Sequence, residues 1–379
     1  MKIVDRYVLS TFIKNYLISF MVLIGMYIAL DMVFNISSIT QTNKGDPIGM
    51  GRIIYDIADF YFYQAFFFFV QLSGVITVAA AAFTLMRLSR FNELTALLAA
   101  GVPLLRVAAS VIVAGAILNL VLLPIDQEYV IPKMIPKLIR EHNEIHQSTI
   151  RTFAVHNMQD KYGSLFSAAM YYPGTETAPA HLQFLDVIER QDMLPVLHVS
   201  ADSAVWNATK TRWDLTNGVI APIAPPDREA TNTAKKIDYY RSDITPEEVS
   251  LNLGKDYIQF LPIARINQLL NTKGYATLDL LRTKHLRFAQ PISNVILLLL
   301  AISTVLTRQP EMLKMAAFKC MNLTGLCMAT VFICYQLAGS PPSMTSSYDV
   351  LNFWPALMAW MPIFIFGPTS VYLLDHLKS

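Results

Sequence analysis

Two histidines stand four residues apart in the segment His142-Asn143-Glu144-Ile145-His146. On a helix this spacing places both imidazoles on one face, where they could bind zinc. In zinc metalloproteases a glutamate directly follows the first histidine, whereas here Glu144 comes one position later and points to the opposite side of a helix. The pattern favours a solvated helix, and zinc hydrolysis remains an alternative.

Other enzyme-like arrangements are missing from the sequence. No Ser/His/Asp or Cys/His set can be assembled from the spacing, and there is no G-x-x-x-x-G-K-[ST] phosphate loop. We therefore predict a chain with no catalytic residue, no metal site and no cofactor of its own. Any ATP chemistry must come from another polypeptide.

The three cysteines, Cys320, Cys327 and Cys334, recur every seven residues in one apolar segment. On a helix this spacing separates neighbouring cysteines by about 10.5 Å along the axis, which is too far for a disulfide. We expect them to be small buried side chains along one helix face.

The composition indicates that much of the surface cannot face water. Hydrophobic residues make up 54% of the 379 residues and charged residues 15%, against about 25% charged in typical soluble domains. Residues 125–285 hold 17 of the 30 Lys+Arg and 19 of the 28 Asp+Glu. The sequence therefore predicts a membrane protein with one aqueous domain. Its net charge of +2 gives no sign of a nucleic-acid partner, which would need a clustered basic face.

Six segments are long and apolar enough to cross a hydrocarbon core of roughly 30 Å. Three precede the charged region and three follow it. The first is interpreted as a retained anchor, because Asn35-Ile36-Ser37-Ser38 offers no signal-peptide cleavage site. The predicted spans are 16–34, 64–86, 107–125, 288–306, 316–338 and 351–374.

The flanking charges predict the orientation by the positive-inside rule. With the N-terminus inside, ten cations fall inside and only Lys44 and Arg52 in the short outer loops. Both termini are then inside, and the charged domain lies outside. The ten inner cations are Lys2, Arg6, Lys14, Arg87, Arg90, Arg106, Arg308, Lys314, Lys319 and Lys378.

The outer domain has the pattern of an antiparallel β sandwich or jelly roll, because short β-prone runs alternate with Pro, Gly, Asn and Asp. Helical patterns flank these runs, at 129–146 and after Thr245. The predicted strands are Phe153/Val155, Leu165–Tyr171, Leu182–Ile188, Val196–Trp206, Arg212–Ile220 and Lys236–Arg241.

We therefore predict a membrane α-helical fold with six transmembrane helices in a 3+3 arrangement and an inserted all-β, jelly-roll-like domain. Residues 1–125 form the first three helices, with a short connecting helix at 91–101. Residues 126–285 form the β domain with its flanking helices. Residues 286–379 form the last three helices.

The connection between the second and third spans, residues 87–103, predicts a short amphipathic helix at the membrane surface. Leu94, Leu97 and Leu98 share one helix face, Asn92 can cap the start, and Gly101 can end it. One interpretation is a turn that merely joins two spans. The other is a helix that docks in a groove of another protein, with Glu93 presenting a charge to a cationic or hydrogen-bonding partner.

Two acidic residues lie near the outer ends of the first two spans, Asp31 and Asp59. A carboxylate at mid-bilayer costs about 2.5–3.5 kcal/mol on insertion scales, so acidic residues inside spans often have a function. Both residues could instead reach interfacial water. A transport role and a solvated position therefore both stay open for them.

The sequence resembles the LptF/LptG (YjgP/YjgQ) permeases of lipopolysaccharide export in four motifs. Glu93 followed by Ala99-Ala100-Gly101 matches the acidic residue and Ala-x-Gly of that family. The other shared motifs, together with the three-plus-three topology, cover nearly the whole chain. They are Asp5-Arg6-Tyr7, Trp213-Asp214-Leu215-Thr216-Asn217-Gly218 and Leu286-Arg287-Phe288-Ala289-Gln290-Pro291.

The resemblance implies a non-catalytic transmembrane subunit of an ABC-type exporter in the bacterial inner membrane. The implied protein partners are a homologous permease subunit, a cytoplasmic ABC ATPase dimer and periplasmic bridge proteins with jelly-roll domains. The implied cargo is lipopolysaccharide, which is taken from the outer leaflet of the membrane, and membrane lipid is a further partner. The β domain would then be periplasmic. The ATPase-coupling role transfers to Glu93 first, and then to Arg90, Leu94, Leu97, Leu98, Ala99 and Gly101.

The family also implies a substrate cavity and a lateral gate. Members often place several cations near the outer end of the first span to meet lipid A phosphates, but here the loop offers only Lys44 and Arg52, with acidic Asp31, Asp46 and Asp56 nearby. The candidate cavity residues are Lys44, Arg52, Asp31 and Asp59. Burial of acyl chains would then dominate binding, and the two cations could be ordinary loop charges. The gate involves the first and fifth spans, whose small residues could instead pack within the subunit; they are Gly25, Ala29, Gly325 and Ala329.

Three functions remain open from the sequence. The favoured one is a lipopolysaccharide export permease driven by a separate ATPase. The second is an ABC-type exporter subunit for another amphiphilic lipid. The third is a membrane-bound zinc hydrolase that uses the outer domain.

Overall fold

The computed structural model describes residues 3–36, 50–138, 152–160, 163–174, 178–191, 194–223, 234–251, 257–270, 277–306, 313–340 and 348–375. The chain divides into two compact units. The membrane unit comprises Met1–Phe34, Tyr61–Ile131 and Leu281–Ser379, and the β unit comprises Asn35–Phe60 and Pro132–Leu280.

Helices and strands follow the predicted order. The helices are α1 (Ile3–Phe34), α2 (Met50–Arg90), α3 (Glu93–Ala99), α4 (Leu104–Ile117), the π-helix π1 (Leu118–Leu122), α5 (Leu123–Ile125), the π-helix π2 (Asp126–Val130), α6 (Ile131–Leu138), α7 (Pro246–Leu251), a 3-10 helix (Tyr257–Phe260), α8 (Ile263–Leu270), α9 (Thr277–Val305), α10 (Leu313–Ala338) and α11 (Tyr348–Asp375). The strands are β1 (Phe153–Gln159), β2 (Leu165–Tyr172), β3 (His181–Gln191), β4 (Leu194–Asn207), β5 (Arg212–Pro222) and β6 (Lys235–Tyr240).

Six helices within the described ranges are long and apolar enough to cross a membrane, which confirms the three-plus-three prediction. Several extend beyond the predicted segments, because hydropathy detects only the apolar part of a helix. Helical structure therefore continues past the predicted domain limits at 125 and 286. The spans are span 1 (Ile3–Phe34), span 2 (Gly51–Arg90), span 3 (Leu104–Met134), span 4 (Leu278–Val305), span 5 (Lys314–Ala338) and span 6 (Phe353–Asp375).

Spans 2 and 4 form the centre of the membrane unit. In their apolar stretches 56% and 61% of residues are buried, against 11% in span 1 and 22% in span 5. The predicted small buried face of span 5 is confirmed, since the three cysteines are free and buried. Cys327 packs in a cluster with Leu297 and Leu300 of span 4 and Phe366 of span 6.

Polar side chains join the central helices inside the membrane unit. Asn294 of span 4 donates from Nδ2 to Ser73 Oγ of span 2 at 2.8 Å and to Asn119 Oδ1 of span 3 at 3.0 Å. Asn119 in turn donates to Thr77 Oγ1 at 3.0 Å. The helices come this close because Gly74 has no side chain, and a Cβ there would lie 2.5 Å from Asn294 Oδ1.

Further polar contacts between spans 3 and 4 lie towards the start of span 4. Gln127 Nε2 donates to Gln290 Oε1 at 3.0 Å, and Arg287 Nη1 donates to Glu128 Oε1 at 2.7 Å. The motif around Arg287 therefore bonds span 4 to the π-helix π2 of span 3. In proteins generally, π-helical turns often occur at functional sites. We call this set the polar ladder; it comprises Ser73, Thr77, Asn119, Gln127, Glu128, Arg287, Gln290 and Asn294.

The β unit contains the predicted antiparallel domain, with all six predicted strands present. Its described strands form one sheet in chain order, β1 to β6, because short connections place consecutive strands side by side. The sheet is therefore a meander, and the Greek-key connections of a full jelly roll do not occur among these strands.

In strands β2, β3 and β4 the buried side chains lie on one face of the sheet in one half of each strand and on the other face in the other half. Tyr171, Leu182 and Ala204 form one buried column in register. The next buried column lies three residues away along each strand, although positions three apart in a regular strand point to opposite faces. Phe184 lies between the columns with a φ of 52°. Residues of both columns belong to one hydrophobic core.

The motif from Trp213 to Gly218 secures this core. Trp213 is fully buried and donates from Nε1 to the carbonyl of Ile244 at 3.0 Å. A Cβ on Gly218 would lie 2.4 Å from the carbonyl oxygen of Ile237 on β6, so only glycine fits this close approach of two strands. Asp214 accepts bonds from Asn207 and Arg212, each at 2.7 Å.

The helical pattern predicted after Thr245 is confirmed by α7. Thr245 and Glu248 form a reciprocal capping box: the Thr245 amide donates to Glu248 Oε2 at 3.1 Å and the Glu248 amide to Thr245 Oγ1 at 3.3 Å. Glu248 also forms an ion pair with Arg265 of α8. Tyr171 ties β2 to the start of α7 by donating to the carbonyl of Pro246 at 2.9 Å.

Candidate functional site

The connection between spans 2 and 3 forms the predicted short helix, α3. Its start differs from the prediction, because Asn92 makes no side-chain cap bond. Asn92 instead has a φ of 58° and donates its backbone amide to the carbonyl of Ser89 at 3.1 Å, which ends span 2. Asparagine tolerates this left-handed conformation better than most residues. Its carbonyl then accepts the amide of Ala96 at 3.0 Å and starts α3.

The end of α3 agrees with the prediction. Gly101 has a φ of 78° and donates its amide to the carbonyl of Leu98 at 2.9 Å, while Val102 donates to Leu97 at 3.0 Å. This pair of bonds is a Schellman motif, which favours glycine at the left-handed position. Pro103 follows in extended conformation and begins the next helix. The two left-handed residues fix α3 as a separate helix between two sharp turns.

The two sides of α3 differ in chemistry. Leu94 is 3% exposed, and Leu97 and Leu98 are half-buried. The leucine face is therefore turned towards the protein's own interior and anchors the helix, which leaves Leu94 covered rather than available to another protein. The exposed side is formed by small residues, namely Thr95, Ala96, Ala99, Ala100 and Gly101.

The first residue of α3, Glu93, is half-buried and hydrogen-bonded to the start of span 1. Tyr7 Oη donates to Glu93 Oε2 at 2.8 Å. A second contact joins span 1 to the residues just beyond α3, since Arg106 Nε lies 3.6 Å from Asp5 Oδ1. Two residues of the motif Asp5-Arg6-Tyr7 thus contact the first residue of α3 and the first turn of α4.

Arg90 is exposed in the last turn of span 2, together with Arg87. Cations in this position interact favourably with the negative end of the helix dipole. This structural role exists for Arg90 whether or not another protein binds nearby.

A family model described as "Lipopolysaccharide export system permease LptF/LptG" matches residues 6–376. The chain belongs to this family. The match covers three of the four motifs in full and Arg6-Tyr7 of the first, and it extends over both units. Among curated proteins no match was found.

Membership of the LptF/LptG family identifies the chain as a multi-pass inner-membrane permease for lipopolysaccharide export, in agreement with its six apolar helices. The family is non-catalytic. Across the part of the chain that the structure describes, no three His, Cys, Asp or Glu side chains are grouped to hold a metal ion. His142 and His146 lie outside the described residues.

The residues predicted for the substrate cavity are distributed over both units. In the membrane unit, Asp31 is half-buried and accepts a hydrogen bond from Tyr61 Oη at 2.9 Å, which joins spans 1 and 2. In the β unit, Arg52 is exposed in the first turns of α2 and Asp59 is half-buried. Lys44 lies outside the described residues.

The small residues predicted for the lateral gate are all exposed on the membrane unit. A Cβ on Gly25 or Gly325 would meet nothing within 4 Å, and Ala29 and Ala329 are exposed as well. The interpretation that these residues pack within the subunit is therefore wrong for the described residues. Their faces are open to lipid or to another chain.

Sequence reasoning missed Tyr7, Asp5 and Arg106 as parts of the site. Tyr7 and Glu93 are 86 residues apart, so no local spacing could connect them. It also missed the polar ladder, although a signal was present: Asn119 and Asn294 are amides inside long apolar segments, and such residues usually face the interior of a helix bundle.

Proposed function

We propose that the chain is the transmembrane subunit of an ABC-type lipopolysaccharide exporter and that α3 binds a separate cytoplasmic ATPase dimer, whose ATP hydrolysis drives transport. The two different sides of α3 are the observation that supports this proposal. Its leucines anchor it inward, while Glu93, Ala99 and Gly101 lie on or next to a side made of small exposed residues. Small side chains permit close approach of a partner, and a carboxylate adds a charge-assisted bond.

The proposed orientation puts α3 and both termini in the cytoplasm and the β unit in the periplasm. The ten-to-two excess of cations at the α3 side supports it. A thiol probe tests it directly: in intact cells Thr95→Cys should react only with a membrane-permeant reagent, and Thr216→Cys on the β unit with an impermeant one. Both residues are exposed, and the native cysteines are buried.

The proposed partner within the membrane is a homologous permease subunit. Spans 1 and 5 are the least buried spans of the chain, and their small residues Gly25, Ala29, Gly325 and Ala329 have no neighbour that fills the space beside the two glycines. Small residues let helices of two chains approach closely. We propose that these faces form the lateral gate through which lipid enters.

For cargo contacts we propose the residues that the family resemblance implies. Asp31, Asp59, Lys44 and Arg52 supply polar contacts, and apolar burial of the acyl chains supplies most of the binding. Among the described strands, β1 and β6 are at the edges of the meander, and an edge strand can pair with a strand of another protein. A periplasmic bridge protein with a jelly-roll domain fits this requirement.

The central test changes Glu93. In the purified complex with ATPase and partner subunit, Glu93→Lys should lower lipopolysaccharide release per ATP hydrolysed by at least about tenfold, because it replaces an attractive contact with repulsion of a cation. Asp202→Lys makes the same charge change at an exposed position of β4, an inner strand of the sheet, and should leave the ratio unchanged. Wild-type transport by Glu93→Lys would exclude the proposed coupling role.

A different amphiphilic lipid is the alternative cargo, because the first outer loop has only two cations for phosphate groups. Isolation of the complex in mild detergent, followed by mass analysis of the bound lipid, separates the two. Recovery of lipopolysaccharide with the ATPase and the second permease supports the favoured cargo. Recovery of another lipid with the same proteins would support the alternative.

A further inference from the structure

Span 1 contacts α3 without being covalently connected to it. The chain joins α3 to span 2 on one side and to span 3 on the other. The contacts to span 1 are the Tyr7 bond to Glu93 at 2.8 Å and the Asp5 ion pair with Arg106 at 3.6 Å. One contact lies at the first residue of α3 and the other at Arg106 of α4, the helix that follows α3, so span 1 bonds both to the short helix and to the start of span 3.

The start of span 1 is well anchored where it makes these contacts. Val8 and Phe12 are fully buried, and Thr11 Oγ1 donates to the carbonyl of Tyr7 at 3.0 Å. One turn further, Asn15 Nδ2 donates to Thr84 Oγ1 of span 2 at 2.9 Å. Tyr7 is thus presented from a packed helix, although its own ring is 45% exposed.

The chemistry of the donor suits a positioning role. A tyrosine hydroxyl is neutral and donates one hydrogen bond, whereas a carboxylate can accept several at its two oxygens. Tyr7 therefore orients Glu93 without neutralising its charge, and Oε1 can still accept a bond from a partner protein. A lysine or arginine in the same place would compete with a cationic partner for that charge.

We propose that Tyr7 and Asp5 are positioning residues of the coupling site that pass the displacement of α3 to span 1. This inference rests on the proposed coupling role of Glu93. A push on α3 moves spans 2 and 3 through the backbone. Span 1 is not adjacent to α3 in the chain; it contacts spans 2 and 3, and it bonds directly to α3 through Tyr7 and Glu93. Span 1 is the span least held by its own subunit, with 11% of its apolar stretch buried, so it is the helix most easily displaced.

The test compares span 1 with span 3 in the same complex. A cysteine replaces either Met21 of span 1 or Val113 of span 3, which are 68% and 58% exposed. The native cysteines are buried and free, so the introduced thiol reacts fastest. In the complex reconstituted into liposomes that contain lipopolysaccharide, the labelling rate of each is measured with and without ATP and vanadate.

Tyr7→Phe removes only the hydroxyl group. We expect it to reduce the nucleotide-dependent change at Met21→Cys, to retain the change at Val113→Cys, and to lower lipid release per ATP by about fivefold, since a bond to a charged group is lost. Asp5→Asn should have the same direction of effect. The exchanged pair Asp5→Arg with Arg106→Asp should restore the response that Asp5→Arg alone removes, which a merely structural role of Asp5 would not produce.

Two results would overturn the inference. One is an unchanged response at Met21→Cys in Tyr7→Phe; the other is a loss at Met21→Cys and Val113→Cys together, since span 3 is connected to α3 by the backbone. Failure of the coupling role itself is recognised separately, because Glu93→Lys would then transport lipid at the wild-type ratio. Assembly of each variant complex, measured by co-purification of the ATPase, excludes misfolding as the cause.

Discussion

Asn294 of span 4 and Asn119 of span 3 are hydrogen-bonded to each other inside the membrane unit, with 3.0 Å between Nδ2 and Oδ1. Both are almost completely buried, at 6% and 1% exposure. Their amides also bind Ser73 and Thr77 of span 2. Three spans that are separated by up to 221 residues in the sequence are thereby held as one group, and α3 connects two of them.

Asn294→Leu should weaken this group. The substitution keeps the approximate volume but leaves Ser73 Oγ and Asn119 Oδ1 without their donor, which costs about 1–2 kcal/mol for a bond between membrane helices. The measurement is the thermal midpoint of the full chain in detergent. Asn322→Leu is the matched control, because Asn322 is exposed in span 5 and its side chain donates to the carbonyl of Phe318 in its own helix. Equal shifts in the two variants would contradict a specific role of the ladder.

Features that depend on neighbouring residues could be predicted from the sequence. Hydropathy located all six spans, and β-prone runs bounded by Pro, Gly, Asn and Asp located the six strands. The end of α3 at Gly101 followed from glycine's access to positive φ. Asn92 was predicted to cap α3 with its side chain, and it makes no such bond. Only Phe91 and Asn92 separate the two helices, so the Asn92 backbone bonds to both: its amide to Ser89 of span 2 and its carbonyl to Ala96 of α3.

What remained unpredictable depends on residues far apart in the chain. The Tyr7 bond to Glu93 and the ladder between spans 2, 3 and 4 require the packed arrangement of the helices. Likewise, the change of buried face at Phe184 leaves no mark in the alternation of a single strand. It emerges only when Tyr171, Leu182 and Ala204 are aligned by the register of three strands.

Gly74 and Gly25 should respond differently to the same substitution. Gly74→Ala places a Cβ 2.5 Å from Asn294 Oδ1, so it should displace that amide and lower the thermal midpoint of the membrane unit, with a cost of about 1–3 kcal/mol for overpacking. Gly25→Ala meets open space and should leave the midpoint unchanged. If Gly25→Ala also lowers lipid release at normal stability, its face contacts something outside the chain. A midpoint lowered equally by both changes would refute the assigned packing.

Gly218→Ala should loosen β6 from the sheet. The added Cβ would lie 2.4 Å from the Ile237 carbonyl oxygen, and because that neighbour is backbone, the two strands must separate. We expect a cost of about 1–3 kcal/mol and faster hydrogen exchange of the β6 amides in the full chain. Thr216→Ala, at an exposed position of the same strand, is the control. Unchanged protection of β6 in Gly218→Ala would show that the strands can adjust.

Asp214 makes the β unit sensitive to acid. The hydrogen bond from Asn207 and the ion pair with Arg212 lower the pKa of this carboxyl below its ordinary value. The carboxylate form is therefore favoured by folding, and its stabilisation is present above the ordinary aspartate pKa of about 3.9. It is lost as the pH falls through the lowered pKa of the folded state.

The expected result is a melting temperature of the β unit that falls as the pH drops below about 4, with a smaller fall in Asp214→Asn. That variant should also melt at a lower temperature at pH 7, because Arg212 loses its anionic partner at 2.7 Å. Tryptophan fluorescence reports on this region in the full chain once Trp354 and Trp360 are replaced by phenylalanine, which leaves Trp206 and Trp213 beside the site. Asp238→Asn removes the same charge from an exposed position of β6 and controls for net charge. An identical acid response in wild type and Asp214→Asn would show that another group causes the transition.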